Sequence, residues 1–466
     1  MYFKQFYDEG LAQASYLIGC QAMGVAIVVD ARRDIEPYLV EAERQGLRIT
    51  AVTETHIHAD YLSGSRELAH ATSATLYLSD EGGPDWLYGF AHHGLRDGGE
   101  IRLGNIALRA VHTPGHTPEH LSFLVTDGAT ASEPGFLLSG DFVFVGDVGR
   151  PDLLDEAAGF ENTRFQGAKD MFTSLQEKFL TLPDYVQVWP AHGAGSACGK
   201  ALGAVASSTV GYERRFAWWA KFLEGENRDD FTRELLAGQP DAPSYFARMK
   251  RENKLGPALL GERAALTALD AEGLQAAVRS GRLIVDARSR EDFDAGAVNG
   301  SISVPFGKSF STWAGWLLDP ESDPRDLVLI AAGRAQAEQL RDELARVGVD
   351  RVTAYATSLS GSGLVARAQV SPADLPAPEK AFLLDVRTKN EYLSGHLPGA
   401  TQLHAGRLSR FLHTLPRDRQ IVVYCQGGSR SGAAASFLRS RGFENLIDLQ
   451  GGYDAWIAAP RERVQA

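Results

Sequence analysis

Cysteine is scarce in this sequence: the 466 residues contain only three, Cys20, Cys198 and Cys425. Three cysteines cannot build a disulfide framework, and their wide separation excludes the short spacings of a zinc knuckle. Each cysteine must therefore be interpreted from its own surroundings. Cys20 ends an apolar run, which predicts a strand position without chemistry.

Long apolar runs are lacking too. No stretch approaches the ~20 residues of a membrane helix, and residues 1–10 carry charges instead of the apolar core of a secretion signal. The net charge of -12 argues against nucleic acid or an anionic membrane as the main partner. These absences predict a cytosolic protein with neither kind of partner. The length predicts two or three domains, because single cores rarely grow beyond about 300 residues.

The first part of the chain alternates β-like runs, such as residues 25–30, 49–54 and 136–140, with helical segments and glycine-rich turns. This alternation is typical of a layered α/β fold. Residues 211–260 then carry aromatic side chains at helical spacing. These side chains are Phe216, Trp218, Trp219 and Phe222. We predict that helices close one face of a first domain that covers residues 1–255.

The rest of the sequence contains a diverged internal repeat. Two buried-strand patterns, residues 283–288 and 382–387, both end in Asp-x-Arg, and each precedes an acidic and aromatic pair, a turn and a second buried strand that leads into a helix. The repeat predicts two α/β domains, over residues 262–365 and 372–466. Between them, the proline-rich segment 371–378 is typical of a stiff linker.

Four short motifs with metal-ligating side chains carry the strongest chemical signal. Residues 55–61 place two histidines and an aspartate directly after a β-run, and residues 112–120 hold three histidines in a loop fixed by proline and glycine. Asp141 follows a third buried run, and His192 completes the series. Imidazole and carboxylate groups at rigid strand ends suit a divalent transition metal. One histidine alone would be weak evidence, but four motifs in this order predict a metal centre.

This combination resembles the metallo-β-lactamase superfamily over about residues 10–200, which implies an αββα fold for that region. Two-metal members have a histidine at the end of the first motif, where this sequence has Tyr61. The branch of persulfide dioxygenases instead holds one Fe(II), which zinc can replace, with two histidines and an aspartate. The resemblance places these ligands at His56, His116 and Asp141. It also implies three neighbouring groups that orient the ligands and bound water, namely His58, Asp60 and His192.

The same resemblance implies that a low-molecular-weight persulfide reacts with O2 at the open face of the iron, with sulfite and a thiol as products. Arg150 is a candidate for binding the anionic substrate, although a surface ion pair with Asp152 fits the sequence equally well. Cys198 lies in a small-residue loop after His192. It is a candidate for accepting or positioning sulfane sulfur near the metal, with a packed inert thiol as the alternative. Asp60 is the other candidate for a direct catalytic role.

Cys425 follows a buried strand pattern and precedes a glycine-rich loop and a helix. Inward-pointing backbone N–H groups, the positive end of the helix and Arg430 would stabilise an anionic persulfide there. Residues 375–460 resemble a rhodanese domain, which implies Cys425 as the sulfur carrier. The loop donors that would bind substrate belong to Gly427, Gly428 and Ser429. A phosphatase is the rival interpretation, but its arginine stands six positions after the cysteine and Arg430 stands five after it.

The middle repeat lacks a nucleophile. Ala331 stands where Cys425 stands in the last repeat, and Ala297 stands where His396 stands. We predict a catalytically silent rhodanese-like domain that acts as a spacer or a docking surface.

Three functions remain open from the sequence. The first couples iron-dependent persulfide oxidation to sulfur transfer at Cys425 among persulfide, sulfite and thiosulfate, because one chain raises the effective concentration of the shared intermediate. The second is a zinc hydrolase similar to glyoxalase II, in which the metal activates water against a thioester. The third is a non-enzymatic sulfur carrier or sensor with a structural metal. Tyr61 and the sulfur-transfer domain favour the first function. Large sheets and appended domains also predict a homo-oligomer.

Overall fold

A computed structural model describes residues 1–153, 155, 163–359 and 363–459. The chain divides into two compact units. The first consists of Met1–Ala242 and Phe246–Glu262, and the second consists of Pro243–Tyr245 and Arg263–Ala466. Within the described ranges, no helix is long and apolar enough to cross a membrane.

Two six-stranded sheets form the centre of the first unit, and in both the strands are neighbours in chain order. The first sheet contains β1 (Tyr2–Asp8), β2 (Gln13–Cys20), β3 (Val25–Val29), β4 (Arg48–Thr53), β5 (Thr75–Ser79) and β6 (His93–Leu95). The second contains β7 (Glu100–Leu103), β8 (Ile106–His112), β9 (Leu121–Asp127), β10 (Phe136–Gly140), β11 (Gln187–Pro190) and β12 (Ser208–Thr209). Strands β3 to β6 run parallel, as do β10 and β11. Carboxyl ends of parallel strands therefore share an edge in each sheet.

The strand β2 shows how the sequence produces these layers. All eight of its residues are buried. Tyr16 and Ile18 pack in the core between the two sheets, whereas Leu17 packs in the core on the outer side of the first sheet. Side chains alternate along a strand, so a strand that is apolar on both faces is covered on both. Each such side chain contributes about 2 kcal/mol by leaving water. Cys20 ends this strand and packs in the same core, which agrees with its prediction.

Helices cover the outer faces of the two sheets, and this αββα order confirms the predicted fold. Their bounds are α1 (Glu36–Arg44), α2 (Ser65–Thr72), α3 (Thr163–Ser174), α4 (Val210–Phe216), α5 (Ala220–Glu224), α6 (Arg228–Leu236) and α7 (Phe246–Leu255), with a π-helical turn at Leu175–Phe179. Trp219 and Phe231 pack with Phe172 of α3 in the core outside the second sheet. Phe216 differs, because 63% of its surface is exposed.

The second unit contains two five-stranded parallel sheets with the same strand order, which supports the internal repeat. The first is ordered β13, β18, β17, β14 and β16, with bounds Thr267–Leu269, Val352–Ala356, Leu327–Ile330, Leu283–Asp286 and Ile302–Ser303. The second is ordered β20, β24, β23, β21 and β22, with bounds Gln369–Val370, Leu446–Leu449, Ile421–Tyr424, Phe382–Asp385 and Thr401–Gln402. A separate pair joins β15 (Ala297–Val298) to β19 (Leu364–Val365).

The proline-rich segment, residues 371–378, was predicted to link the two repeats, but it lies between the first and second strands of the last sheet. Strand β20 precedes the segment and already pairs with β24, and Pro372–Asp374 forms a short 3-10 helix.

The helices of the second unit are α8 (Ala271–Arg279), α9 (Arg290–Ala295), α10 (Phe310–Leu317), α11 (Arg334–Arg346), α12 (Lys389–Leu393), α13 (Leu408–Phe411), α14 (Ser429–Ser440) and α15 (Gly452–Ala458). Further 3-10 turns lie at Ala405–Arg407 and Leu412–Thr414 in this unit and at Pro84–Trp86 in the first unit.

Candidate active site

Four loops at strand ends of the first unit meet at one point. They follow β4, β8, β10 and β11. The first three bring together ligand atoms of His56, His116 and Asp141 that all lie within 4.8 Å of one another, and the fourth carries His192. The Nε2 atom of His116 lies 3.4 Å from Asp141 Oδ2, and that of His56 lies 3.9 Å from the same oxygen. All three side chains are buried. The structure thus assembles the three side chains that the sequence predicted as metal ligands.

Contacts at Nδ1 orient the two histidines. His116 Nδ1 donates to the backbone carbonyl of Arg150 at 2.9 Å, which leaves its Nε2 as an acceptor toward Asp141. His56 Nδ1 lies 3.0 Å from the hydroxyl of Thr55. Burial lowers the pKa of His116 to about 3 and holds that of His56 well below its usual value. Both imidazoles are therefore neutral at pH 7, which is the form that binds metal.

The Asp141 carboxylate indicates that a cation fits between these groups. Both of its oxygens are buried, and neither makes a well-formed hydrogen bond within the described part of the chain. Burial raises its pKa to about 6. A buried carboxylate without donors is unfavourable, and a metal ion between it and two imidazole acceptors would relieve that cost. A set of two histidines and one aspartate suits Fe(II) and also Zn(II).

A second group of buried side chains borders the first. Asp60, His192 and Cys198 also offer ligand atoms within 4.8 Å of one another. His192 Nδ1 donates to the carbonyl of Ala12 at 3.0 Å, and its Nε2 lies 3.4 Å from Asp60 and 3.5 Å from Asp141. Burial, with the two nearby carboxylates, raises the pKa of the Cys198 thiol well above its usual value. Cys198 thus lies beside the candidate metal centre as a neutral thiol.

His58 behaves differently from His56 and His116. Its Nε2 donates to Asp30 Oδ1 at 3.1 Å. Burial opposes protonation of this ring, but the charge and hydrogen bond of Asp30 overcome it and raise the pKa of His58 to about 9. An imidazolium cannot ligate a metal, so this contact fits the predicted supporting role of His58.

Cys425 lies directly after β23 in the second unit and is buried. The N–H of Gly428 donates to its Sγ at 3.1 Å. Gly428 has a φ of +97°, a conformation that favours glycine. The helix α14 begins at Ser429, directly after this glycine. The loop of residues 426–429 thus presents a backbone donor to the sulfur, as its glycine-rich composition predicts.

Arg430 shares its charge with Glu391. Its Nη1 donates to Glu391 Oε2 at 2.8 Å, and its Nη2 donates to the other oxygen. Burial works against the charge of Glu391, but this two-pronged pair holds the pKa of Glu391 at about 2. The sequence predicted that Arg430 stabilises the charge on Cys425. The structure adds a pairing with Glu391, which offsets part of the positive charge of Arg430.

The middle repeat has the same strand and loop without the thiol. Ala331 follows β17 as Cys425 follows β23. Gln336 accepts the N–H of Ala332 at 2.7 Å through its side-chain oxygen, so a side chain occupies a donor of this loop. Ala297 lies in the small strand β15.

Comparison with known proteins identifies both regions. The sequence profile of the metallo-β-lactamase superfamily matches residues 8–192, and that of the rhodanese-like domain matches residues 372–459. A solved structure, the metallo-beta-lactamase from Staphylococcus aureus subsp. aureus COL, is 42% identical with a TM-score of 0.68, over 76% of this chain and 98% of that chain. The chain belongs to the metallo-β-lactamase superfamily. Its residues 372–459 form a rhodanese-like domain.

Two relatives match different parts of this metallo-β-lactamase and rhodanese fusion. The mitochondrial persulfide dioxygenase ETHE1 of Bos taurus is 27% identical over 41% of this chain and 67% of its own length. The thiosulfate sulfurtransferase GlpE of Pseudoalteromonas translucida is 36% identical over 19% of this chain and 83% of its own length.

Tyr61 distinguishes this metallo-β-lactamase domain from the two-metal pattern. Its hydroxyl donates to the carbonyl of Asp30 at 3.2 Å and lies 3.4 Å from Gln13 Nε2, which donates to it. Burial raises the pKa of this phenol well above its usual value. A neutral phenol is a poor metal ligand, so Tyr61 fills the place of a histidine without replacing its function.

Arg150 is a correction to the sequence analysis. Its side chain is 2% exposed, so it is not in a surface ion pair. Its Nε and Nη2 donate to Asp152 at 2.8 and 2.6 Å, and its Nη1 donates to the carbonyls of Ala197 and Pro240. Its backbone N–H donates to the backbone carbonyl of Cys198 at 3.2 Å. Protein acceptors engage Nε and both Nη atoms, so Arg150 fixes the Cys198 loop, and its binding of substrate stays a prediction.

Three buried residues that support the metal loops were missed. Asp30, in a left-handed conformation with φ of +57°, accepts the N–H and hydroxyl of Thr55 as well as His58. Asn253 of α7 donates to the carbonyls of His58 and Tyr61 at 2.8 Å. The third residue is His120, whose Nε2 accepts the N–H of Asp141 at 3.0 Å. Asp30 follows a buried strand, so the strand-end argument used for Asp141 could have found it.

Proposed function

We propose that this chain is an iron-dependent persulfide dioxygenase coupled to a sulfurtransferase. One observation carries the proposal: the chain joins a buried group of His56, His116 and Asp141, with Tyr61 in place of the second-metal histidine, to a loop that presents Cys425. The activities named for the two relatives agree with it. The three ligands would hold one Fe(II) per chain, and iron bound there would supply the redox chemistry by which O2 adds to sulfur.

The proposed oxidation balances with water as the second reactant. A persulfide RSSH, O2 and H2O give RSH, sulfite and two protons. The sulfur–sulfur bond breaks, the outer sulfur is oxidised, and O2 is reduced. Both atoms of O2 and the oxygen of water enter sulfite, and the inner sulfur leaves as the thiol.

The chain's own residues would exclude bulk water and move the released protons. The side chains around the ligands are almost completely buried, which strengthens electrostatic interactions inside the site. Asp60 lies 3.4 Å from His192 Nε2, so this pair can accept a proton from the water that enters sulfite. Asp30 holds His58 and, through Thr55, His56, which keeps the ligand set in place.

Cys425 would carry sulfane sulfur between persulfide and sulfite. Its thiol takes the outer sulfur of RSSH and releases RSH, and the resulting Cys425 persulfide then gives that sulfur to sulfite, which forms thiosulfate and frees the thiolate. The Gly428 N–H that donates to Sγ and the positive end of the twelve-residue α14 stabilise the negative charge at both stages. The reverse transfer, from thiosulfate to a thiol, uses the same groups.

The test is product analysis with glutathione persulfide on anaerobically iron-loaded protein, for the wild type and Cys425→Ser. We expect rapid O2 uptake by both proteins. Sulfite should accumulate and thiosulfate should fall in the variant, because the oxidation is intact and the sulfur carrier is lost. Absence of O2 uptake with any persulfide, together with thioester hydrolysis by zinc-loaded protein, would instead establish the hydrolase.

A further inference from the structure

Two arginines from the middle repeat and the segment after it lie against the Cys425 loop inside the second unit. Arg290 opens α9, and Arg367 lies between β19 and β20. Both pair with Asp294 of α9: Arg290 Nε donates at 2.9 Å and Arg367 Nη1 at 2.7 Å. Both also reach Asp448 of β24 in the last sheet, since Arg290 Nη2 donates to it and Arg367 Nη2 lies 3.4 Å from it. The four side chains thus connect the two repeats.

Glycine in the Cys425 segment is what lets these guanidinium groups approach. A β-carbon on Gly428 would lie 2.8 Å from Arg290 Nη1, and one on Gly432 would lie 2.6 Å from Arg367 Nη1. Both distances are too short for real contacts, so any side chain there would displace an arginine. Gly428 is also the residue whose N–H donates to the sulfur of Cys425. Arg290 therefore lies next to the residue that donates to the sulfur, and Arg367 lies next to the first turn of α14.

The cluster is mostly shielded from solvent, with the side chains of Arg290 and Asp294 exposed to 18% and 17%. The side chain of Arg367 is 4% exposed and that of Asp448 is 1% exposed. Two positive and two negative groups offset one another, so the cluster adds no net charge to the loop and acts through geometry. A separate contact holds the helix behind the loop, where the N–H of Ser303 in β16 donates to Ser436 of α14 at 2.9 Å. The middle repeat thus supports α14 at its start and farther along.

We propose that Arg290 and Arg367 are positioning residues for Cys425, and that the middle repeat, which has no nucleophile of its own, serves to fix the sulfur-carrier loop. The sulfur-transfer part of this inference rests on the function proposed above for Cys425. The positioning part concerns only the conformation of the loop, so it can be measured separately.

The experiment uses the full chain with Arg290→Gln, and Arg334→Gln as the matched control. Arg334 also belongs to the middle repeat, is 61% exposed at its side chain and pairs with Glu338 one helical turn away. Two quantities are measured: the kcat and KM of sulfur transfer from thiosulfate to cyanide, and the rate at which iodoacetamide alkylates Cys425, followed by mass spectrometry. The alkylation rate requires no enzymatic activity.

We expect Arg290→Gln to lower kcat by about tenfold or more with little change in KM, because a small misplacement of a reacting group costs rate. Alkylation should become several times faster, since Cys425 is 1% exposed and a loosened loop uncovers it. Arg290→Lys should partly restore the wild-type kcat and the slow alkylation, because lysine keeps the ion pair with Asp448. Arg334→Gln should behave as the wild type.

A second variant, Gly432→Ala, tests the same contact from the other side. Alanine has a higher helix propensity than glycine. If Gly432 serves only as a residue of the helix, Gly432→Ala should therefore cause no loss of sulfur transfer. If its β-carbon displaces Arg367, sulfur transfer should fall severalfold, and adding Gly432→Ala to Arg367→Gln should cause no further loss.

The outcomes separate the inference from the function. Wild-type kinetics and alkylation in both Arg290→Gln and Gly432→Ala would overturn the positioning role. If the wild type transfers no sulfur at all but alkylation responds as described, the positioning role stands and the function proposed for Cys425 fails.

Discussion

The candidate metal centre draws its ligands from loops at residues 56, 116 and 141, whereas the donors around Cys425 come from the residues that directly follow it in the chain. The metal centre depends on the packing of two sheets, and its supporting residues come from as far away as Asn253. The Cys425 loop needs only a strand, glycines and a helix start to take shape, although its surroundings then fix it. Damage to one site should therefore leave the chemistry of the other intact, and the predictions below test this separation.

Loss of Asp141 should have the largest effect. In Asp141→Asn, the only carboxylate of the ligand group loses its charge, so we expect metal content and persulfide-dependent O2 uptake to fall by at least about 100-fold. Sulfur transfer from thiosulfate to cyanide should stay within about twofold of the wild type. Metal content, O2 uptake and sulfur transfer are all measured on one preparation of the variant. A parallel loss of sulfur transfer would show that the two sites are not separable.

Asp30→Asn should cause the next largest effect. The amide keeps the size of the side chain but loses the charge that orients Thr55 and His58, so metal affinity should fall about 10-fold to 100-fold. Competition with a chelator measures that affinity. The matched control is Asp34→Asn, which changes an aspartate on the same loop that pairs with Arg32. Equal losses in both variants would contradict the specific role of Asp30.

Cys198→Ser tests whether the buried thiol takes part in the oxidation. We expect metal content to stay unchanged and sulfite formation to slow severalfold, because the neutral thiol lies with Asp60 and His192 beside the ligands, where it would position sulfane sulfur, and the hydroxyl of serine is smaller and more polar. Sulfite and thiosulfate are both measured. Unchanged rates of both would show that Cys198 is a packed, inert thiol.

The smallest effect that we expect is a loss of stability of the rhodanese-like domain in acid. The pKa of Glu391 is depressed from 4.5 to about 2, so its pairing with Arg430 contributes stability that is fully present above about pH 4.5 and is lost as the pH falls through about 2. The melting temperature of the wild type should therefore decline between about pH 4.5 and pH 2, and Glu391→Gln should lack this part of the decline. If the melting temperatures of the two proteins fall equally with pH, the pair of Glu391 and Arg430 does not stabilise the domain.

The motifs of the metal centre could be predicted because each follows a strand pattern, and the resemblance to persulfide dioxygenases then singled out His56, His116 and Asp141 among their side chains. The glycine-rich loop after β23 was equally visible, since the thiol and its donor are three residues apart. The roles of Asn253 and Arg290 could not be predicted in the same way. Each acts on a segment far away in sequence, and nothing in its own surroundings indicates which backbone it contacts. Arg150 was misjudged for the same reason, because its acceptors Ala197 and Pro240 are remote.

The reaction proposed for the buried group of His56, His116 and Asp141 is the oxidation of persulfide sulfur with O2. The most direct measurement is the ratio of O2 consumed to sulfite formed by iron-loaded Cys425→Ser, in which sulfite is not converted to thiosulfate. We expect equal amounts of each and no O2 uptake by Asp141→Asn treated in the same way. Sulfite formation without matching O2 uptake, or uptake that persists in Asp141→Asn, would contradict it.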